Sequence, residues 1–217
     1  MNPNFPFDLR PRNALYNYAP PSIPAVTVRP EPTKPPLYDI FTSYHEAGHA
    51  AGYINFQRGF LVARVLPGVS SYIKLDGQRI DGIKGIVEGD SFQLDQGPPI
   101  SAFSQADRST LFSHSFKFMV TALAGPCAEA RYRKEPFASH LMSGGASDGE
   151  LAKRIARWVA DGDEEAYCQL LVRAVRQTEH FVQGKFGVIN VIAQLLSKNG
   201  VLFGDDPVVK SLLKRSS

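Results

Sequence analysis

The stretch SYHEAGHAAGY, residues 43–53, decides how this chain is read. It contains an HExxH pattern, with His45 and His49 four residues apart and Glu46 beside the first. On an α-helix, residues four apart are offset by about 40° around the axis and about 6 Å along it. Two imidazoles so placed reach one metal ion from the same face. Glu46, about 100° further round, then stands close enough to orient a metal-bound water without itself being a ligand. In a chain of this composition the pattern arises by chance in roughly one sequence in two hundred.

The flanks of the motif are helical. Leu37, Ile40, Phe41, Tyr44, Ala47, Ala51 and Ile54 follow helical spacing, and the run ends near Gly59. Phe41, His45, His49, Gly52 and Phe56 share one line beside the apolar stripe, so the histidines face a partly buried surface and need partners there. Plain core histidines are the alternative. A glycine in mid-helix costs about 1 kcal/mol against alanine, so Gly48 points to close approach by another backbone. Ala47, Ala50, Ala51 and Gly52 extend that small-residue surface.

Two histidines leave a metal site incomplete, because hydrolytic zinc takes three protein ligands and a water. His114, His140 and His180 are isolated in sequence and are expected in surface or core roles. Asp148 lies in SGGASDGELAKRIARWV, where a Gly-rich turn enters a helix. Ser147 and Glu150 have the spacing of a capping box, which makes Ser147 the expected cap and puts Asp148 in the first turn. There it lines up with Ala152, Ile155 and Val159 and faces the core. An inward acid needs a compensating charge; a metal cation supplies one, and the helix dipole is the alternative partner. Glu129, in LAGPCAEARY, either accepts an imidazole N–H behind the metal or pairs with Arg131 or Arg133.

Outside these motifs the pattern predicts a mainly α (α+β) domain over residues 37–217, with a small antiparallel sheet inserted after the HExxH helix. FLVARVLPG, residues 60–68, reads as a strand closed by Pro67-Gly68. Short apolar runs around Tyr72–Leu75 and Gly85–Val87 are set off by turn signals at Asp76-Gly77 and Asp81-Gly82. Residues 89–108 read as a loop. Helical stripes follow: Phe116, Met119, Val120, Leu123 and Cys127, then Leu151, Ile155, Trp158 and Val159. Tyr167, Leu170, Leu171, Ala174 and Phe181 make a third, and Ile189, Ile192, Leu195 and Leu196 a fourth. A last short helix starts at Asp206-Pro207, with Asp206 as its cap.

Residues 1–36 differ in kind, since ten of the 16 prolines fall there. That stretch is expected to be an extended, flexible and poorly ordered tail, with a spacer or a strap for a partner as its functional alternatives. The net charge of +3 is small and spread out, which argues against a nucleic-acid partner. No run of eighteen apolar residues and no secretory signal occurs, so no membrane span and a cytoplasmic location are expected. Two cysteines without a C-x-x-C fit a reducing compartment, although one bridge between them stays open. A phosphate-binding GxxxxGK[ST] is absent.

SYHEAGHAAGY, LAGPCAEARY and SGGASDGELAKRIARWV, in that order, resemble the peptidase domain of the FtsH-type ATP-dependent zinc metalloproteases. VINVIAQLLSKNGVLFGDDPV resembles that family's closing helical segment, so the likeness covers roughly residues 38–213. The resemblance implies an FtsH-peptidase-like helical fold and places the third ligand on Asp148. In place of the family's membrane anchor and ATPase module this chain carries its Pro-rich segment, and Pro126-Cys127 departs from the family pattern. The resemblance therefore implies a stand-alone peptidase domain, its ATPase partner unspecified. The expected function is a Zn2+-dependent endopeptidase acting on unfolded or flexible protein and peptide substrates. His45, His49 and Asp148 would hold the metal and Glu46 would be the general base. The alternative is a catalytically silent, metal-stabilised binding or regulatory protein of the same fold.

Overall fold

Asp39 starts the first helix. Its carboxylate accepts from the backbone N–H of Thr42 at 3.0 Å and from the Thr42 hydroxyl at 2.6 Å, filling donor positions that a helix start leaves open. The computed structural model describes residues 38–56, 59–89, 98–142 and 145–216. The Pro-rich segment 1–36 lies outside the described residues. The first helix, α1 (Ile40–Asn55), is followed by strands β1 (Phe60–Ile73) and β2 (Arg79–Gly89) and a short 3-10 turn at Ile100–Ala102. Helices α2 (Gln105–Arg133), α3 (Phe137–Leu141), α4 (Ala146–Ala160) and α5 (Glu164–Asn199) come next, then β3 (Val201–Phe203) and α6 (Pro207–Ser216). The protein is mainly helical, with one small antiparallel sheet in the order β2-β1-β3. No described helix is long and apolar enough to cross a membrane.

The HExxH helix is central, touching α2, α5, α6, β1 and β2. Its small residues are the reason it can be. A Cβ at Gly48 would lie 2.2 Å from the carbonyl oxygen of Ala124, so α1 and α2 cross nearly backbone to backbone at this point. This is the close approach that the mid-helix glycine signalled. Tyr44 locks the roll of the helix, its ring stacked on Tyr132 of α2 at 3.9 Å and its hydroxyl bonded to Asn190 of α5. The facing helix α2 is buried without a break from Phe118 to Ala130. Ile155 and Ala156 of α4 and Ile189, Ile192 and Leu196 of α5 complete the core.

Several local expectations are corrected. Pro67-Gly68 does not close β1; the strand runs on to Ile73. The pairing with β2 shifts register between Val65 and Ser70, and such a bulge is where a strand tolerates proline. Asp81-Gly82 is not a turn either, because it lies inside β2. The hairpin turn is at Asp76-Gly77, as expected, with Gly77 N–H bonded to the Lys74 carbonyl. The stretch read as a loop up to residue 108 ends sooner. Ser104 caps α2, accepting from Asp107 N–H, and the helix begins at Gln105. The third and fourth stripes are one continuous helix, α5, ended by Gly200 in the left-handed region at φ 72°. That turn delivers β3 to the free side of β1, pairing Ala63 with Leu202. Ser147 is not a cap: Gly145 occupies that position without a side-chain bond, and Asp148 is in the first turn of α4 as expected. Asp206 does cap α6, accepting from Val208 N–H at 2.8 Å. Cys127 and Cys168 are both free thiols, which removes the bridge left open by the sequence.

Candidate metal centre

Two helices bring three side chains to one point. His45 and His49 project from successive turns of α1, their ring centroids 4.9 Å apart. Asp148, about a hundred residues later, reaches the same spot from the start of α4. Its Oδ2 lies 3.2 Å from His45 Nε2 and its Oδ1 lies 3.6 Å from His49 Nε2. Ligand atoms around a tetrahedral zinc ion, each about 2.0–2.1 Å from it, stand about 3.3 Å apart. The spacing fits a metal, and the lightly exposed rims of the three side chains (14%, 13% and 18%) leave an approach to it.

The far side of each imidazole is also occupied. His49 Nδ1 is 2.9 Å from the Thr121 carbonyl, which can only accept, so Nδ1 carries the proton and Nε2 presents a lone pair. His45 Nδ1 faces Glu129 Oε2 at 3.1 Å in the same sense. Two ring lone pairs therefore converge on a carboxylate, an arrangement that calls for a cation. Without a metal the cation is a proton. Burial disfavours charge on His45, but the bonds to Asp148 and Glu129 overrule it and push its pKa up to about 10. His49 moves the other way, pulled down by burial against the opposing field of Asp148. Asp148 stays low despite burial, because both imidazoles lower it.

Glu129 satisfies both of the roles left open for it. It accepts from His45, and its Oε1 is 2.8 Å from both Nε and Nη2 of Arg133, one turn along α2. Burial alone would raise this acid, but bonds from His45, Arg133 and His140 hold it at about 2. Arg131, the other candidate, lies over the Phe186 ring instead. Glu46 is 5% exposed, and burial raises it to about 8, moderated by the neighbouring His45. It is packed under β2: a Cβ at Gly85 would fall 2.6 Å from Glu46 Oε1, so only glycine leaves the carboxylate its place. Gly125 does the same for His49, whose Nε2 a Cβ would approach to 2.3 Å.

His45, Glu46, His49, Asp148 and Glu129 are thus brought together. His114 and His180 are exposed and outside the described groups that could share an ion. His140 takes the core role that was one of its two expectations, buried with Nε2 3.1 Å from Glu129 Oε2. Its only sequence signal was its place eight residues before Asp148, which no helical period picks out. Thr121 acts through its backbone carbonyl and left no signal at all. No family model matches the chain, and no curated protein matches it significantly.

Proposed function

We propose that this protein is a zinc-dependent endopeptidase of the FtsH peptidase type, hydrolysing unfolded or flexible polypeptides without ATP. The observation that carries the reading is the convergence of His45, His49 and Asp148 beside the buried acid Glu46. The donor set fits Zn2+: two imidazole nitrogens with fixed tautomers and one carboxylate, too few ligands for a closed structural site. When bound, zinc supplies a Lewis acid that polarises a carbonyl oxygen and lowers the pKa of a coordinated water toward about 7.

The chain's own groups do the rest. Glu46, next to His45 on the same helix, takes the proton of the attacking water on its carboxylate and returns it to the leaving amine. Its burial favours the protonated form, so the carboxyl is suited to hold that proton between the two steps. Thr121 and Glu129 keep the imidazoles aimed. Among the described residues the outer edge of β2 has no strand partner, and the strand passes Glu46 at Gly85. An extended peptide pairing with that edge would be read through its backbone, which suits a substrate class without fixed side chains.

The test compares wild type with Glu46→Gln on an unfolded protein, without ATP and with and without a chelator. Chelator-sensitive cleavage, reduced on the order of 10²–10⁴-fold in the variant, is expected. Equal inactivity of both proteins with zinc bound would overturn the peptidase reading and leave the metal-stabilised binding protein in its place.

A further inference from the structure

We propose that His140 is a positioning residue of the metal centre, one that ties its two arms together; the inference rests on the metal reading above. Its side chain acts on the His45 arm. His140 Nε2 and His45 Nδ1 meet the same oxygen, Glu129 Oε2, each at 3.1 Å, while Arg133 takes Oε1 through both Nε and Nη2. Both carboxylate oxygens are therefore engaged, and Glu129 cannot turn without breaking a bond in a buried setting. A fixed Glu129 holds the His45 ring in one rotation, with Nε2 toward Asp148.

The backbone of His140 acts on the other arm. Its carbonyl accepts from the N–H of Gly145 at 3.1 Å, and Gly145 is the residue from which α4 starts. Asp148 lies three residues on, in the first turn. One buried residue on a five-residue helix thus touches the support of the first ligand and the entry to the third. Packing alone does not explain this placement. The ring is 5% exposed and directs both nitrogens at carboxylates, Nε2 at Glu129 and Nδ1 at Glu135 Oε2, 3.5 Å away. An apolar residue would fill the same volume without leaving a ring N–H to satisfy.

The test is zinc affinity, measured on the full chain by competition with a chelator of known strength. His140→Gln, His140→Asn and His140→Leu are compared with wild type, and absorption spectra of the cobalt-substituted proteins are recorded alongside. The Gln amide nitrogen reaches the position of the ring Nε2, so that variant keeps wild-type affinity and spectrum. Asn is too short and Leu has no donor; both weaken zinc about 10–100-fold and change the cobalt spectrum. Should the Leu variant fail to fold, the comparison of Gln with Asn, two amides of equal polarity, still decides. In a Glu129→Gln background the Asn substitution adds little, because it acts through the carboxylate already removed. Equal affinities and spectra for all three variants overturn the inference. So does a Gln variant as weak as Asn, which would make the role one of ring volume. If wild type itself takes up no zinc, the metal reading falls first and this inference falls with it, a result distinct from the other two.

Discussion

Replacing Gly48 by alanine should destabilise this protein, although alanine is the better helix former. A Cβ at Gly48 would lie 2.2 Å from the Ala124 oxygen, 2.7 Å from its carbonyl carbon and 2.9 Å from Ala128 Cβ. The first two are backbone atoms of a helix and cannot swing aside, so α1 and α2 must part by about 1 Å to reach ordinary carbon contact. Overpacking of this kind costs about 1–3 kcal/mol. Stretching the 2.9 Å bond from His49 Nδ1 to the Thr121 carbonyl loses about 1 kcal/mol more. The gain in helix propensity returns about 1 kcal/mol, leaving a net loss of about 2 kcal/mol. Gly184, inside α5, is the control. Nothing lies within 4 Å of a Cβ there, so Gly184→Ala should stabilise by about 0.5–1 kcal/mol. Urea unfolding in the presence of a chelator measures both without the contribution of a metal, and the Gly48→Ala midpoint should fall by about 1 M. A Gly48→Ala protein stabilised to the same degree as Gly184→Ala would refute the backbone-to-backbone crossing of α1 and α2.

Asp148→Ala should lower zinc stoichiometry in the purified protein. Full occupancy in that variant would refute the proposed role of Asp148 as third ligand and move it to Glu129, which forms with His45 and His140 the other described group able to share an ion. The metal-free protein should lose stability as pH rises from 7 to 10. The folded pKa of His45 is raised from 6.5 to about 10, so its contribution is complete below the unfolded value and fades as the folded group deprotonates. Glu46, raised from 4.5 to about 8, adds to the same fall at the lower end of that window. A urea midpoint that climbs across this range would contradict the assignment, and zinc should flatten the slope by taking the place of the His45 proton. A thiol reagent at pH 8 should modify the exposed Cys168 in the native protein and reach Cys127 only after unfolding. Burial pushes the Cys127 thiol up to about 12, and two fast thiols would mean that the α2 core is open.

Where the helices were legible, what makes them is local. Apolar spacing marked α1 and α4, Asp206 sits where a cap belongs, and Gly48 announced a close neighbour without naming it. His45, Glu46 and His49 were readable for the same reason, since one helix sets their mutual geometry. Asp148 was within reach because a Gly-rich turn followed by an apolar stripe fixes which way the first turn faces. The strand lengths were not legible. Pro67-Gly68 and Asp81-Gly82 are strong turn signals taken singly, and only the pairing of β1 with β2 turns them into irregularities within longer strands.

The surroundings of the site belong to the tertiary structure alone. Thr121 contributes a carbonyl, an atom every residue has, and Gly85 and Gly125 contribute the lack of a side chain. His140 matters because α3 folds back against α2, and the choice of Arg133 over Arg131 depends on which face of α2 meets Glu129. Spacing along a chain encodes contacts within about a turn of helix, whereas these partners meet across helices whose crossing is set by the whole core.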